Sequence, residues 1–147
     1  MIGFEYQVGA HLIYEGFQRE GLSICKAIRD RHDVFKRTPY NEFECGSHYA
    51  RSMSNYAYLL ALSGFRYSAL QKTLYFSPVI FRDNFQCFFS IEGAWGIIKH
   101  RETAYGNLVI IETLEGELKL GRVIVGEKEL GVSQAPGFGS RTLSLLL

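Results

Sequence analysis

Apolar positions recur at helical spacing through the first part of the chain. Between Phe4 and Glu15, the residues Phe4, Val8 and Leu12 make one stripe and Tyr6, Ala10 and Ile13 a second, which predicts a helix buried on two sides. Gly16 and Gly21 interrupt the pattern. From about Phe17 to His32, Leu22, Cys25 and Ile28 face away from Arg19, Lys26, Arg29 and Asp30, as in an amphipathic helix with one solvated face. A third helix is predicted from Ser47, which can cap it, to about Ser63, with Tyr49, Met53, Tyr56 and Leu60 on one stripe. Gly64 then stands where a helix ends in left-handed backbone. The stretch between the second and third helices, Val34 to Gly46, holds Lys36, Arg37, Pro39, Asn41, Glu42 and Glu44. Pro39 biases Thr38 away from helical geometry, so this stretch is predicted to be a connecting loop.

The signal changes after Phe65. Leu74 to Ile80, Phe85 to Ser90 and Gly96 to Lys99 are short aromatic or β-branched runs separated by Pro78, Asn84 and Gly93, and they predict strands. Leu108 to Thr113 and Glu117 to Val125 flank Leu114-Glu115-Gly116 and predict a hairpin, with Gly116 supplying the positive backbone angle of its turn. From Gly131 to Leu147 the chain is rich in Gly and Ser, with neither period nor cap, and a frayed tail is expected. The predicted fold class is therefore mainly α: helices over 1–65, a connecting segment over 66–83, a small antiparallel β-hairpin appendage over 84–130 and a flexible tail over 131–147. Three helices, one of them buried on two sides, require more helices around them.

Composition narrows the functional classes. A chain of 147 residues with 47% hydrophobic and 14% aromatic content can bury a core. With 16 Lys plus Arg against 15 Asp plus Glu, no net field favours nucleic acid, an acidic membrane surface or a polyanionic substrate. Cys25, Cys45 and Cys87 form an odd set without paired spacing, which reads as reduced thiols in a cytoplasmic chain. The opening residues Met1 to Tyr6 lack a basic stretch followed by an apolar one, and no apolar run approaches the roughly 20 residues of a membrane span. No membrane span and no nucleic-acid partner are expected.

Candidate chemistry concentrates between Arg37 and Arg51, where several hydrogen-bonding side chains fall into a loop and the first turn of a helix. A carboxylate, a guanidinium and aromatic faces are what a sugar site uses, because hydroxyls need donors and acceptors while the C–H face of the ring stacks on aromatics. The same residues also describe a capped helix start with a salt bridge, and taken alone they favour that simpler reading. Cys45, His48, Glu44 and His32 contain no second Cys or His pair at zinc spacing, so no metal or other cofactor is expected. Cys45 with His48 as thiol and base has no recognised geometry at so short a spacing. Glu115 and Glu117 mark a solvated turn, and Trp95, a conceivable sugar-stacking platform, is more simply a core residue among strands.

Three stretches, Gly3-Phe4-Glu5-Tyr6-Gln7-Val8, then Asn41-Glu42-Phe43-Glu44-Cys45-Gly46-Ser47-His48-Tyr49-Ala50-Arg51-Ser52-Met53, then Ala61-Leu62-Ser63-Gly64-Phe65, resemble the end of glycoside hydrolase family 116. That family includes bacterial β-glucosidases and non-lysosomal glucosylceramidase. The likeness covers Gly3 to about Phe65 and continues loosely through Asp83 to Phe89. It implies the last helices of an (α/α)6 toroid and retaining hydrolysis of β-linked glucosides. The nucleophilic glutamate and the acid/base aspartate are expected upstream of this chain, which leaves no catalytic residue within it. Such a pair stands about 5–5.5 Å apart across the glycosidic bond. By position the resemblance makes Glu42 a ligand for glucose hydroxyls in the innermost subsite and Arg51 an arginine holding the same end of the sugar. A second sugar-contacting arginine, six residues after Arg51 in glucosylceramidase-like members, is Ala57 here. The implied activity is that of a C-terminal fragment of a β-glycosidase, binding a β-linked glycoside and partnered by the upstream part of the enzyme. The alternative is a free-standing carbohydrate-binding or interaction module derived from that fold.

Overall fold

The computed structural model describes residues 2–32, 35–36, 52–132 and 141–146. They fall into two compact units, Met1–Leu62 and Ser63–Leu147.

The first unit is built on α1 (Ile2–Tyr14), α2 (Gln18–Arg31) and α3 (Ser52–Ser63). Of the two stripes on α1, Tyr6, Ala10 and Ile13 are buried, whereas Phe4 is 59% and Val8 54% exposed. The buried stripe packs with Ile28 of α2 and with Tyr58 and Ala61 of α3, joined by the partly buried Ile24, Cys25, Ala57 and Leu62. Leu22, Met53 and Tyr56, read from spacing as core-facing, are exposed. The two stripes of α1 lie on nearly opposite sides of the helix, and spacing alone does not choose between two apolar stripes. α1 ends in a Schellman turn: the Gly16 N–H donates to Ile13 O and the Phe17 N–H to Leu12 O, with Gly16 at φ +89°. Gly64, after α3, is likewise left-handed at φ +60°, as its place in the sequence predicts. Arg31 pairs with Glu5 at 2.6 Å between α2 and α1, and an exposed pair of this kind contributes about 0–1 kcal/mol.

Among the described residues, the second unit carries eight strands in two four-stranded sheets: β1 (Arg66–Ser68), β2 (Thr73–Phe76), β3 (Phe85–Ile91), β4 (Ala94–Thr103), β5 (Gly106–Gly116), β6 (Arg122–Val125), β7 (Lys128–Gly131) and β8 (Thr142–Leu146). The first sheet runs β1-β2-β6-β7 and the second β3-β4-β5-β8. β2 and β6 pair in parallel, Leu74 beside Val123, while the other neighbours are antiparallel. Alternation sends Phe85, Cys87 and Phe89 of β3 inward, with Ile98 and His100 of β4, Val109 and Ile111 of β5, and Leu143 and Leu145 of β8. The Phe76 ring meets those of Phe85 and His100, tying the two sheets together. Full burial of a side chain such as Phe76, Phe89 or Ile98 contributes about 1.5–3 kcal/mol.

This architecture corrects the mainly α expectation. About 40% of the described residues are strand against 33% helix, so the chain is α+β, helices first and strands after. The predicted hairpin of Leu108 to Thr113 with Glu117 to Val125 does not form. β5 instead pairs with β4 and β8, and the Val123–Val125 run joins β2 in the other sheet. Thr142–Leu146, placed in the expected tail, is the edge strand β8.

Candidate functional site

Glu42 and Arg51, the substrate-binding residues implied by the resemblance, lie outside the described residues, as do Glu44, Cys45 and His48. What is described is the frame on either side of their segment: α2 leads into it through His32, and α3 leaves it from Ser52. α3 is fixed by Tyr58, whose hydroxyl donates to Gly21 O of α2 at 3.0 Å. Its ring meets Tyr6 of α1 edge-on, centroids 6.0 Å apart. The Cys25 thiol donates to Asn55 Oδ1 at 3.8 Å. Burial pushes that thiol's pKa up, with Arg29 pulling the other way, so Cys25 stays protonated rather than becoming a thiolate nucleophile. Ala57, where the resemblance finds no second arginine, packs partly buried against the helical core.

Tyr58 gives this frame a pH signature. Burial, reinforced by Cys25 and Tyr6, pushes its phenol from 10.0 up to about 12. A folded-state pKa above the unfolded one means that the protonated phenol stabilises the fold fully below about pH 10, and the contribution is lost as pH rises through about 12. Urea denaturation across this alkaline window should show stability falling in the natural chain. Tyr58→Phe should begin about 1 kcal/mol lower at neutral pH, having lost the bond to Gly21 O, and fall less steeply. Equal slopes for the two proteins would contradict the assignment.

His32, at the end of α2, is buried; its Nδ1–H donates to Ile28 O at 2.9 Å, and its Nε2 is buried with no hydrogen-bond partner among the described residues. Among the described residues no group of three His, Cys, Asp or Glu side chains is placed to hold a metal ion. Cys25 and Cys87 are free thiols, and burial raises Cys87 to about 11 against a smaller opposing effect of the Ser63 hydroxyl. Glu5, Asp30, Glu102, Glu112 and Glu129 each sit in an ion pair. Glu115 and Glu117 are exposed beside the β3–β4 turn, where the Glu117 N–H donates to Gly93 O. No described helix is long and apolar enough to cross a membrane.

Trp95 departs from its expected core position. It is 45% exposed on the outer face of the second sheet, on the side of β4 opposite the buried Ala94, Gly96 and Ile98. The signal was available in the alternation of β4, where Gly96, Ile98 and His100 share the parity of Ala94 and put Trp95, Ile97 and Lys99 on the other face. Compared with models of known protein families and with curated proteins, the chain matches none.

Proposed function

We propose that this chain supplies part of the sugar-binding wall of a retaining β-glycosidase of the family 116 kind, with Glu42 and Arg51 binding the innermost sugar and the catalytic carboxylates contributed by an upstream part of the enzyme. The observation that carries this reading is the thirteen-residue run Asn41 to Met53, which joins a carboxylate, a histidine and a guanidinium in one pattern. The exposed Phe4 and Val8 support it, because a helix with a second apolar stripe in solvent is built to pack against further helices. A carboxylate accepting from sugar hydroxyls and a guanidinium donating to the same oxygens fix the ring's orientation. Contacts of this kind strengthen toward the transition state.

Hydrolysis of a chromogenic β-glucoside tests the proposal, with the chain alone and with the chain joined to the protein encoded immediately upstream. Activity should appear only in the joined form, and Glu42→Gln should lower it about 10- to 100-fold, the loss of a charge-assisted hydrogen bond worth about 1.5–3 kcal/mol. Turnover by the chain alone would place a catalytic pair inside it and overturn the assignment of roles. Activity in the joined form that is indifferent to Glu42→Gln would remove Glu42 from the site.

A further inference from the structure

The outer face of the second sheet has a composition that neither the core nor the glycosidase reading uses. Trp95 and Phe88 are each 45% exposed there. Register makes them diagonal neighbours: Ser90 lies opposite Trp95, and Phe88 lies opposite Ile97, two residues farther along β4. Diagonal positions of this kind are about 7–8 Å apart, within reach of one bound molecule. The next pairs along β4 set Gln86 opposite Lys99, and Lys99 Nζ donates to Glu112 Oε1 on β5 at 2.7 Å, both side chains partly exposed. A β-bulge in β5, where Trp95 pairs with Glu115 but Gly96 with Thr113, leaves Leu114 as the extra residue and increases the local twist beside Trp95.

This face is a mosaic. Two half-exposed aromatic rings and the partly buried Ile97 and Ile110 share it with a hydroxyl, an amide and an ion pair. A surface destined to be covered by another protein layer is depleted of charge at its centre, whereas here Lys99 and Glu112 pair across β4 and β5, the two inner strands of the sheet, and cancel. The chemistry complementary to it is a neutral polyhydroxyl ligand: the apolar C–H face of a sugar ring lies on the electron-rich faces of Trp95 and Phe88, and its hydroxyls exchange hydrogen bonds with Ser90, Gln86, Lys99 and Glu112.

We propose that this outer face of β3 and β4 is a second, non-catalytic binding surface for a neutral oligosaccharide, with Trp95 and Phe88 as its stacking rings. It takes its ligand class from the glycosidase reading but none of that reading's residues. Trp95 is the single tryptophan of the chain, so its emission reports this surface alone.

The probe is a β-1,4-linked glucose hexasaccharide titrated into the full chain, followed by tryptophan fluorescence and by calorimetry, with a polyanionic galacturonate oligomer as the charged comparator. The neutral sugar should give a saturable change in emission and the charged one none. Phe88→Ala, a substitution at a half-exposed position, should weaken binding about tenfold while leaving the fluorophore in place, and Trp95→Ala should abolish the calorimetric signal. Glu42→Gln should leave this binding unchanged, so that loss of the upstream site and loss of this surface read differently. No emission change, binding indifferent to Phe88→Ala, binding lost with Glu42→Gln, or an emission shift that grows with protein concentration in the absence of sugar, as a second copy on this face would give, would each overturn the proposal.

Discussion

Gly96→Ala is expected to destabilise the β unit by about 3 kcal/mol or more. A Cβ at Gly96 would stand 1.9 Å from Glu112 O and 3.0 Å from a ring carbon of Phe89. The first of these atoms is backbone of the paired strand β5, and the second belongs to a fully buried ring that stacks on Phe65. Neither has room to withdraw. The position also adjoins the bulge in β5, so relief by sliding the register would carry Ile98 and Ile111 away from the core. Urea denaturation should show a lower midpoint with an unchanged slope. Gly131→Ala on β7, where an added Cβ meets nothing within 4 Å, should stay within about 0.5 kcal/mol of the natural chain. Equal effects of the two substitutions would mean that β4 and β5 are farther apart at Gly96 than described.

Gly21→Ala should destabilise the helical unit by about 2–3 kcal/mol, against the intrinsic preference of a helix. In an open helix interior, alanine is favoured over glycine by about 0.8–1.0 kcal/mol. Here the added Cβ would come 2.5 Å from Gly9 O and 2.7 Å from Ile13 Cγ1, forcing α1 and α2 apart. The same displacement breaks the bond from the Tyr58 hydroxyl to Gly21 O, so α3 loses its anchor as well. The reciprocal position is equally tight, since a Cβ at Gly9 would meet the Tyr58 hydroxyl at 1.7 Å. Thermal or urea unfolding of Gly21→Ala decides the matter: a gain of stability near the propensity value would show that the helices are not in close contact.

The consequence for function differs between the two units. Loss of the α1–α2 contact would release α3, which bears one end of the segment carrying Glu42 and Arg51. Joined-form glycosidase activity should then fall while oligosaccharide binding by Trp95 persists. Gly96→Ala should do the reverse, because Trp95 and Ile97 flank it on β4.

Helix positions were legible because a helix writes its own record locally. Periodicity over ten to fifteen residues placed the three helices of the described residues, and Gly64 ended α3 as its lack of a Cβ allows. Which apolar stripe would be buried was not legible. α1 carries two, and only Ile28, Tyr58 and Ala61 arriving from other helices select Tyr6, Ala10 and Ile13 over Phe4 and Val8. Gly21 read as an interruption, since the physical role of a glycine at a helix crossing, there as at Gly9, is set by the backbone of another helix. The proposed sugar-binding residues Glu42 and Arg51 came from the resemblance of the run between Asn41 and Met53, not from periodicity.

The sequence by itself determined where the chain is helical, where it turns to strand, and that no strong charge field directs it. The tertiary structure decided how much sheet there is and which strands meet. Alternation tells a strand which face is buried and says nothing about its neighbour, so Leu108 to Thr113 and Glu117 to Val125 looked like the two arms of one hairpin. The short turn through Ala104 and Tyr105 gave β5 to β4 instead, and the parallel pairing of β6 with β2 reaches across some fifty residues, from Leu74 to Val123. Pairing at that range is settled by the shared burial of Leu74, Phe76, Val123 and Val125, a property of the packed unit that no local window contains.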